Sequence, residues 1–381
     1  LVLQAFQLQT RIIFGIDALS ALGSEAQSFG QTVCLVSGKR ALTENGILQK
    51  VTERLNEAGF KVELFTEVEP EPSLETVSRG LVFARECKAE WVLGLGGGSA
   101  MDTAKAIAGL YHTSQTVSDY FEGLIVEKTG IPLVTLPTTS GSGAEVTLNA
   151  VLTKGRIKKS IRDLRFAARL TIVDPKLTVN LPPEITAYSG MDALVQAIEA
   201  YTSKGANSLT DIYAFAAIER IGANLLRAYQ NGDDLEARSE MALGSLMAGI
   251  ALSNARLGAV HGLAHAVGIA TGKPHGLVCA MLLVPVMRFN LSICFEKYAK
   301  IATSLGMYHP TGDPLDLAAG TIKTIMNLER KLGITHHLSD FELSESDYAW
   351  IIEDSLTSGS LKANPREVTA QDLLNILHER F

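Results

Sequence analysis

Between residues 33 and 136, short apolar runs alternate with amphipathic stretches. Val33–Ser37 (VCLVS), Lys61–Phe65 (KVELF), Trp91–Leu95 (WVLGL) and Pro132–Leu136 (PLVTL) have the length and residue content of buried strands. Glu44–Ala58 sets Ile47, Leu48, Val51 and Leu55 on one helical face, with Gly59 where a helix C-terminus belongs. Pro72–Cys87 and Ser99–Leu110 predict two more helices. Strand and helix alternating at this pace predict a parallel sheet wrapped by helices. Two later β-rich segments, Glu145–Leu152 and Leu170–Val173, have the charged stretch Lys154–Arg165 between them. Beyond Leu181-Pro182-Pro183 the strand pattern stops. Helical spacing then runs through Glu184–Tyr201, Ser208–Tyr229, Glu236–Ser253, Leu257–Ile269, Leu277–Met287, Phe295–Leu305, Leu315–Leu332 and Thr369–Leu377. The expected fold is α/β + all-α: a Rossmann-like parallel-sheet domain over residues 1–182, then an all-helical domain over residues 183–381. Ser355–Arg366, rich in Ser, Gly, Asn and Pro, reads as flexible.

Composition narrows the function. Hydrophobic residues make up 46% of 381, ample for a large core. The net charge of −7 leaves no basic surplus to neutralise a phosphate backbone, so nucleic acid is not an expected partner. Cys34, Cys87, Cys279 and Cys294 form no CxxC pair and no disulfide framework, which suits a reduced, cytoplasmic compartment. No apolar run reaches the ~18–20 residues of a membrane span, and Leu1–Thr10 lacks the basic start and cleavage site of a signal peptide. No membrane partner is expected.

Two polar loops follow predicted strands. Gly96-Gly97-Gly98-Ser99 leaves WVLGL and opens a helix. Glycines let the backbone approach a ligand, and the positive helix N-terminus behind them suits a phosphate or pyrophosphate. The loop is neither GxGxxG nor a Walker sequence, and a tight turn with a helix cap at Ser99 is the plainer alternative. Asp102 and Lys105 lie one turn apart on the same helix. Pro137–Glu145 (PTTSGSGAE) follows PLVTL with four hydroxyls that would donate to a phosphate or hold a nicotinamide; the alternative is a solvated loop. Both loops leave the carboxyl ends of strands, where open α/β sheets bind ligands.

In the helical half, Asp192 and Gln196 share a helix face, as do His261 and His265 in HGLAH, and His275 follows past Gly272 and Pro274. The second position of HGLAH is Gly262, so the carboxylate of a zinc-protease HExxH is absent and that chemistry is rejected. Asp192 with two neutral imidazoles is a reasonable set for a divalent cation that keeps an open position, whereas a lone histidine here would be core packing.

Together these motifs resemble the iron-containing (group III) alcohol dehydrogenase family. The matching residues are GGGSAMDTAK (96–105), LPTTSGSGAE (136–145), VDP followed by LPP (173–183), GMDALVQAIEAY (190–201), HGLAHAVG…KPHG (261–276) and NPREVT (364–369), in the family's order along nearly the whole chain. The resemblance implies a two-domain dehydrogenase whose N-terminal α/β domain binds a nicotinamide cofactor and whose C-terminal helical domain holds a divalent metal, Fe2+ or Zn2+. Gly97, Gly98 and Ser99 would bind the pyrophosphate; Asp102, Thr138, Thr139 and Ser142 would line the nicotinamide side. Val151 and one of Lys158 or Lys159 match cofactor-contacting positions. The family's ligands are an Asp, a His four residues later and two further His. Asp192, His261 and His275 match, but Gln196 stands at the second place, and its neutral carbonyl is a weaker ligand than an imidazole.

NAD-preferring relatives often carry an Asp at the place of Gly38; here that carboxylate is gone and Lys39 and Arg40 stand beside it, so NADP is favoured over NAD. The implied reaction is metal-assisted reversible hydride transfer between a small alcohol or aldehyde and NAD(P), with His265 and Asp102 as candidate catalytic residues. His265 would relay the proton or orient substrate. A homodimer or higher homo-oligomer is implied. The rival readings are a dehydroquinate-synthase-like lyase on the same scaffold and a metal-free, inactive nucleotide-binding homologue, the latter invited by Gln196.

Overall fold

A computed structural model describes residues 3–305, 312–334, 338–341 and 343–379. The chain divides into two compact units: Leu8–Thr139 with Gly143–Asn180, and Leu1–Gln7 with Ser140–Ser142 and Leu181–Phe381.

The first unit holds a six-stranded sheet of β1 (Arg11–Phe14), β2 (Thr32–Gly38), β3 (Lys61–Val68), β4 (Trp91–Gly96), β5 (Leu133–Pro137) and β8 (Leu170–Val173). All neighbours pair in parallel, in the order β1-β8-β5-β4-β2-β3. β4, β5 and β8 are buried along their whole length, which is why their sequences are largely apolar rather than alternating; the two threonines, Thr135 and Thr171, are buried as well. The edge strands β1 and β3 are more exposed, and at the β3 edge Lys61 pairs with Glu63. β1 (RIIF) carries only three apolar residues beside polar sequence, too short a pattern to read; its pairing with β8 makes it a strand. From β2 the chain moves outward to β3, then returns to the other side of β2 with β4. The carboxyl ends of β2 and β4 therefore flank the switch point of the sheet, the place where such sheets bind ligands.

Two local expectations change. The helix expected over Glu44–Ala58 runs Ile47–Glu57, starting after Gly46 at φ +77, and a separate short helix, Ala41–Glu44, precedes it. The charged stretch 154–165 is not a connection: β6 (Asn149–Lys154) and β7 (Ile157–Arg162) form an antiparallel hairpin. Lys154 pairs with Ile157 across a two-residue turn that begins at Gly155 in the left-handed region. Charge obscured the strand because β7 is mostly solvent-facing and its lysines find partners outside the sheet: Lys158 pairs with Glu71, and Lys159 lies over the Phe121 ring.

The second unit is helical: Pro183–Thr202, Ser208–Gln230, Leu235–Ala255, Ala259–Thr271, His275–Ser304, Pro314–Lys331, Glu345–Leu356, Gly359–Lys362 and Ala370–His378. Small residues let these helices approach closely; a Cβ on Gly190 would stand 2.2 Å from Leu225 Cδ1. The expected helices at 277–287 and 295–305 are one helix of 30 residues, continuous through Pro285. Proline removes one backbone donor, but the apolar residues on either side keep this segment buried in the core. The helix is long and apolar enough to cross a bilayer, yet its most apolar stretch is mostly buried inside the protein.

Ser355–Arg366 is ordered, against expectation, because Asn364 is buried in a network of its own. Its Oδ1 accepts from Ala259 N at 3.1 Å and Asn290 Nδ2 at 3.0 Å, while its Nδ2 donates to Asn290 Oδ1 at 2.9 Å and Arg366 O at 2.7 Å. A composition of turn residues hid this anchoring.

Glu329, on the Pro314–Lys331 helix, is buried with Oε1 lacking a hydrogen-bond partner among the described residues, and burial raises its pKa to about 8. The folded carboxyl therefore stays protonated up to about pH 8, while the unfolded one ionises above its ordinary value of 4.5. Between those values the folded state binds more protons, so stability falls as pH rises through the window and is flat outside it. Glu329→Gln should stabilise the protein by a few kcal/mol at the alkaline end, about 1.4 kcal/mol for each pH unit that the window spans, and little at pH 4.5. Urea unfolding at both ends checks this; an equal pH dependence in wild type and variant contradicts it.

Candidate functional site

The glycine loop joins β4 to a helix, as its composition suggests, with one change. The helix Gly98–Leu110 is capped by Gly97, with no side-chain cap, and Ser99 lies inside its first turn. Other helices of this unit, such as Leu74–Glu86, carry a hydroxyl that caps their first amides. Here the first N–H groups keep that capacity for a ligand. Gly96 adopts φ +144, which a side chain resists, and a Cβ there would stand 2.9 Å from Ala100 Cβ. A Cβ on Gly97 would stand 3.3 Å from Thr139 Oγ1, so the loops after β4 and β5 approach closely. Thr138 N donates to Gly96 O at 3.0 Å. Thr138 is buried; Gly97, Gly98, Ser99 and Thr139 are half-buried. Gly38 closes β2 on the same side of the sheet, with Lys39 and Arg40 exposed beyond it. Ser142 belongs to the helical unit, where its neighbour Gly141 accepts from Ser245 Oγ at 3.1 Å.

Asp102 is engaged within the fold. Lys105 Nζ donates to Asp102 Oδ1 at 3.2 Å, and Val151 N donates to Oδ2 at 3.0 Å. Lys105, completely buried, also donates to Thr147 Oγ1 at 2.7 Å and Asn149 O at 2.9 Å. Burial raises the Asp102 pKa and lowers that of Lys105, each against the pull of the other. Nearby Glu145, also buried, is pushed up to about 7 by desolvation. The Asp102–Lys105 pair ties the phosphate-loop helix to the hairpin, and Val151 reaches the site through its backbone. Lys158 is the better buried of the two candidate lysines and is paired with Glu71.

The metal candidates converge in the helical unit. Asp192 Oδ1 lies 3.3 Å from His261 Nε2 and 3.8 Å from His275 Nε2. Cys279 Sγ lies 3.8 Å from His261 Nε2 and 3.6 Å from His275 Nε2. All four ligand atoms fall within 4.8 Å of one another. Gln196, one turn after Asp192, is buried, and its Oε1 has no hydrogen-bond partner among the described residues. His265 stands apart from the four; it is half-buried, with its ring centroid 5.6 Å from that of His275.

Three helices hold this arrangement. Pro183–Thr202 carries Asp192, Gln196 and Glu199 along one face, at i, i+4 and i+7. His275 opens its own helix, and the next residue must be glycine: a Cβ on Gly276 would stand 2.2 Å from Tyr188 O. The helix Ala259–Thr271 lacks a side-chain cap from Gly258, but Glu199 supplies one from a neighbouring helix, accepting from Val260 N at 2.7 Å. Glu199 Oε2 also pairs with His261 Nδ1 at 2.7 Å. In the neutral ring, that contact puts the proton on Nδ1 and leaves Nε2 for a cation. Burial works to lower the His261 pKa, yet Cys279, Asp192 and Glu199 raise it well above 6.5. Burial likewise pushes the Cys279 thiol up to about 11.

Two residues of this centre escaped the sequence, though their spacing was readable. Cys279 follows His275 by four, and Glu199 follows Asp192 by seven, each on the face already occupied by a candidate. The donor set fits a divalent cation on its own chemistry: a carboxylate, two imidazoles and a thiol converge, with a buried carbonyl on the same helix face left without a partner among the described residues.

Residues 9–175 match the family described as iron-containing alcohol dehydrogenase, and residues 186–381 match the Fe-containing alcohol dehydrogenase family, C-terminal. The chain is 36% identical to a 1,3-propanediol dehydrogenase of Klebsiella pneumoniae, across 97% of this chain and 96% of that one. It is 35% identical to a lactaldehyde reductase of Escherichia coli (strain K12), across 96% of each. Its fold matches a crystal structure of a 1,3-propanediol oxidoreductase with a TM-score of 0.94 and 36% identity, covering 99% of both chains.

Removing the Asp102 carboxylate should leave Lys105 charged and buried with neutral acceptors alone. Asp102→Ala is expected to lose about 3–5 kcal/mol of stability, and Asp102→Ala with Lys105→Met to regain most of it. Chemical unfolding of both variants checks this. A double variant no more stable than the single one would show that the pair does not act as a unit.

Proposed function

The chain belongs to the iron-containing alcohol dehydrogenase family, and from that premise we propose how its own residues divide the work. It is an NAD(P)-dependent alcohol dehydrogenase and aldehyde reductase that works with a divalent metal. The proposed reaction is reversible hydride transfer between a small alcohol or aldehyde and the nicotinamide. The observation that carries the site assignment is the convergence of Asp192, His261 and His275, with Glu199 fixing the tautomer of His261.

When bound, the nicotinamide gives or accepts the hydride and the cation acts as a Lewis acid on the substrate oxygen. Asp192, His261 and His275 hold the cation, and the Gln196 carbonyl is a neutral contact beside them. Glu199 holds Nδ1 of His261, which leaves Nε2 for the cation and stops the ring turning. His265, beside His275 and half-buried, passes a proton between substrate and solvent or orients the substrate. Gly97, Gly98 and Ser99 present their amides to the pyrophosphate. Thr138, Thr139, Ser142 and Asp102 serve the nicotinamide side, with Val151 and Lys158 completing the cofactor contacts. Beyond Gly38 at the end of β2, Lys39 and Arg40 are exposed at the switch-point side of the sheet. No carboxylate precedes them to repel a 2′-phosphate, so NADP is the preferred cofactor. Cytoplasmic residence and a homodimer or larger homo-oligomer complete the proposal.

Purified protein should oxidise NADPH with a panel of small aldehydes, and a strong chelator should abolish turnover until Zn2+ or Fe2+ is restored. Asp192→Ala should lower kcat/KM by about a hundredfold or more. Activity unchanged in a sample shown to be metal-free would contradict the Lewis-acid role; turnover with no net change in free NAD(P)H would favour a lyase. Lys39→Ala should raise KM for NADPH by about tenfold, the loss of one charge-assisted contact, and leave KM for NADH alone. Equal effects on both cofactors would remove Lys39 from 2′-phosphate recognition.

A further inference from the structure

We propose that Cys279 is the fourth metal ligand of this chain, taking the place that Gln196 leaves without an imidazole, and that the resulting Asp-His-His-Cys set selects zinc over iron. The inference rests on the metal reading above and goes beyond it, since that reading needs only Asp192, His261 and His275. The observation behind it is distance. A cation bonded at about 2.0–2.1 Å to N or O and about 2.3 Å to S sets tetrahedral edges of about 3.4 Å between N and O and about 3.6 Å between N and S. The two Sγ–Nε2 separations are 3.8 and 3.6 Å, and the Asp192 Oδ1–Nε2 separations are 3.3 and 3.8 Å.

Position supports the assignment. His275 and Cys279 stand one turn apart on the first turns of one helix, so a single backbone orients both toward Asp192. Cys279 is fully buried, packed against two ring nitrogens. A buried cysteine used only for packing has no need of two imidazoles at these distances. Ligation releases the thiol proton to solvent and leaves a thiolate whose charge, with that of Asp192, balances the dication. Gln196 contributes no charge. A soft thiolate beside imidazoles tilts the set further toward zinc, whereas imidazoles and a carboxylate alone also suit iron.

The test loads metal-free, full-length protein with Co2+ as a spectroscopic probe and measures zinc affinity by competition with a chromophoric chelator. Wild type should bind one cobalt per chain and show a thiolate-to-cobalt charge-transfer band in the near ultraviolet. Cys279→Ser should lose that band and bind zinc more weakly by over a hundredfold, since even changes behind a ligand cost about 10–100-fold. Adding Gln196→His to Cys279→Ser should restore cobalt binding without the band, which separates loss of a ligand from loss of fold. Far-ultraviolet circular dichroism of each variant guards the comparison. Bound cobalt with no charge-transfer band, or a band that persists in Cys279→Ser, overturns the proposal and leaves the three-ligand site standing. Failure of wild type to bind cobalt at all, with Asp192→Asn no different, overturns both.

Discussion

The contact between Glu199 and His261 is the constraint on which the candidate centre depends. One buried carboxylate caps the N-terminus of the helix Ala259–Thr271 and holds Nδ1 of the histidine one residue further on. Helix position and ring orientation are therefore set by the same group. Without it the helix would end in unsatisfied amides inside the protein, and His261 would be free to present either nitrogen. Gly258 makes the contact possible, because a Cβ there would stand 2.9 Å from Glu199 Oε1 and 3.0 Å from Asn364 Oδ1. A residue near the C-terminus and one on the Pro183–Thr202 helix thus jointly seat the helix that carries the histidines.

The α/β unit distributes its charge differently. The helix after its glycine loop has no side-chain cap, while the charges on that helix are neutralised internally by Asp102 and Lys105. A buried ion pair of this kind is costly to break and adds little net stability; its value is positional, since it fixes the hairpin against the phosphate-loop helix. Both units therefore place buried, mutually satisfied charges behind groups that stay available to a ligand.

Much of this was readable in the sequence. The central strands are largely apolar because both faces are covered, and the glycine loop after β4, the Asp192 helix and the HGLAH helix are where the sequence places them. What escaped reading depends on contacts distant in sequence. Strand β7 is mostly charged because its partners lie off the sheet. Two helices are one because burial sustains the chain through Pro285. Residues 355–366 look like linker, yet Asn364 ties them to Ala259 and Asn290. Glu199 and Cys279 carried only a helical spacing, which many core and surface residues share; their meaning comes from what lies opposite.

The most direct test of the central claim is anomalous diffraction from crystals of the metal-loaded enzyme, recorded across the zinc and iron absorption edges. The account predicts one peak among Asp192 Oδ1, His261 Nε2 and His275 Nε2, with Glu199 still on Nδ1 of His261. A catalytically active crystal with its peak elsewhere, or with no peak and Asp192 hydrogen-bonded directly to His261, would contradict it.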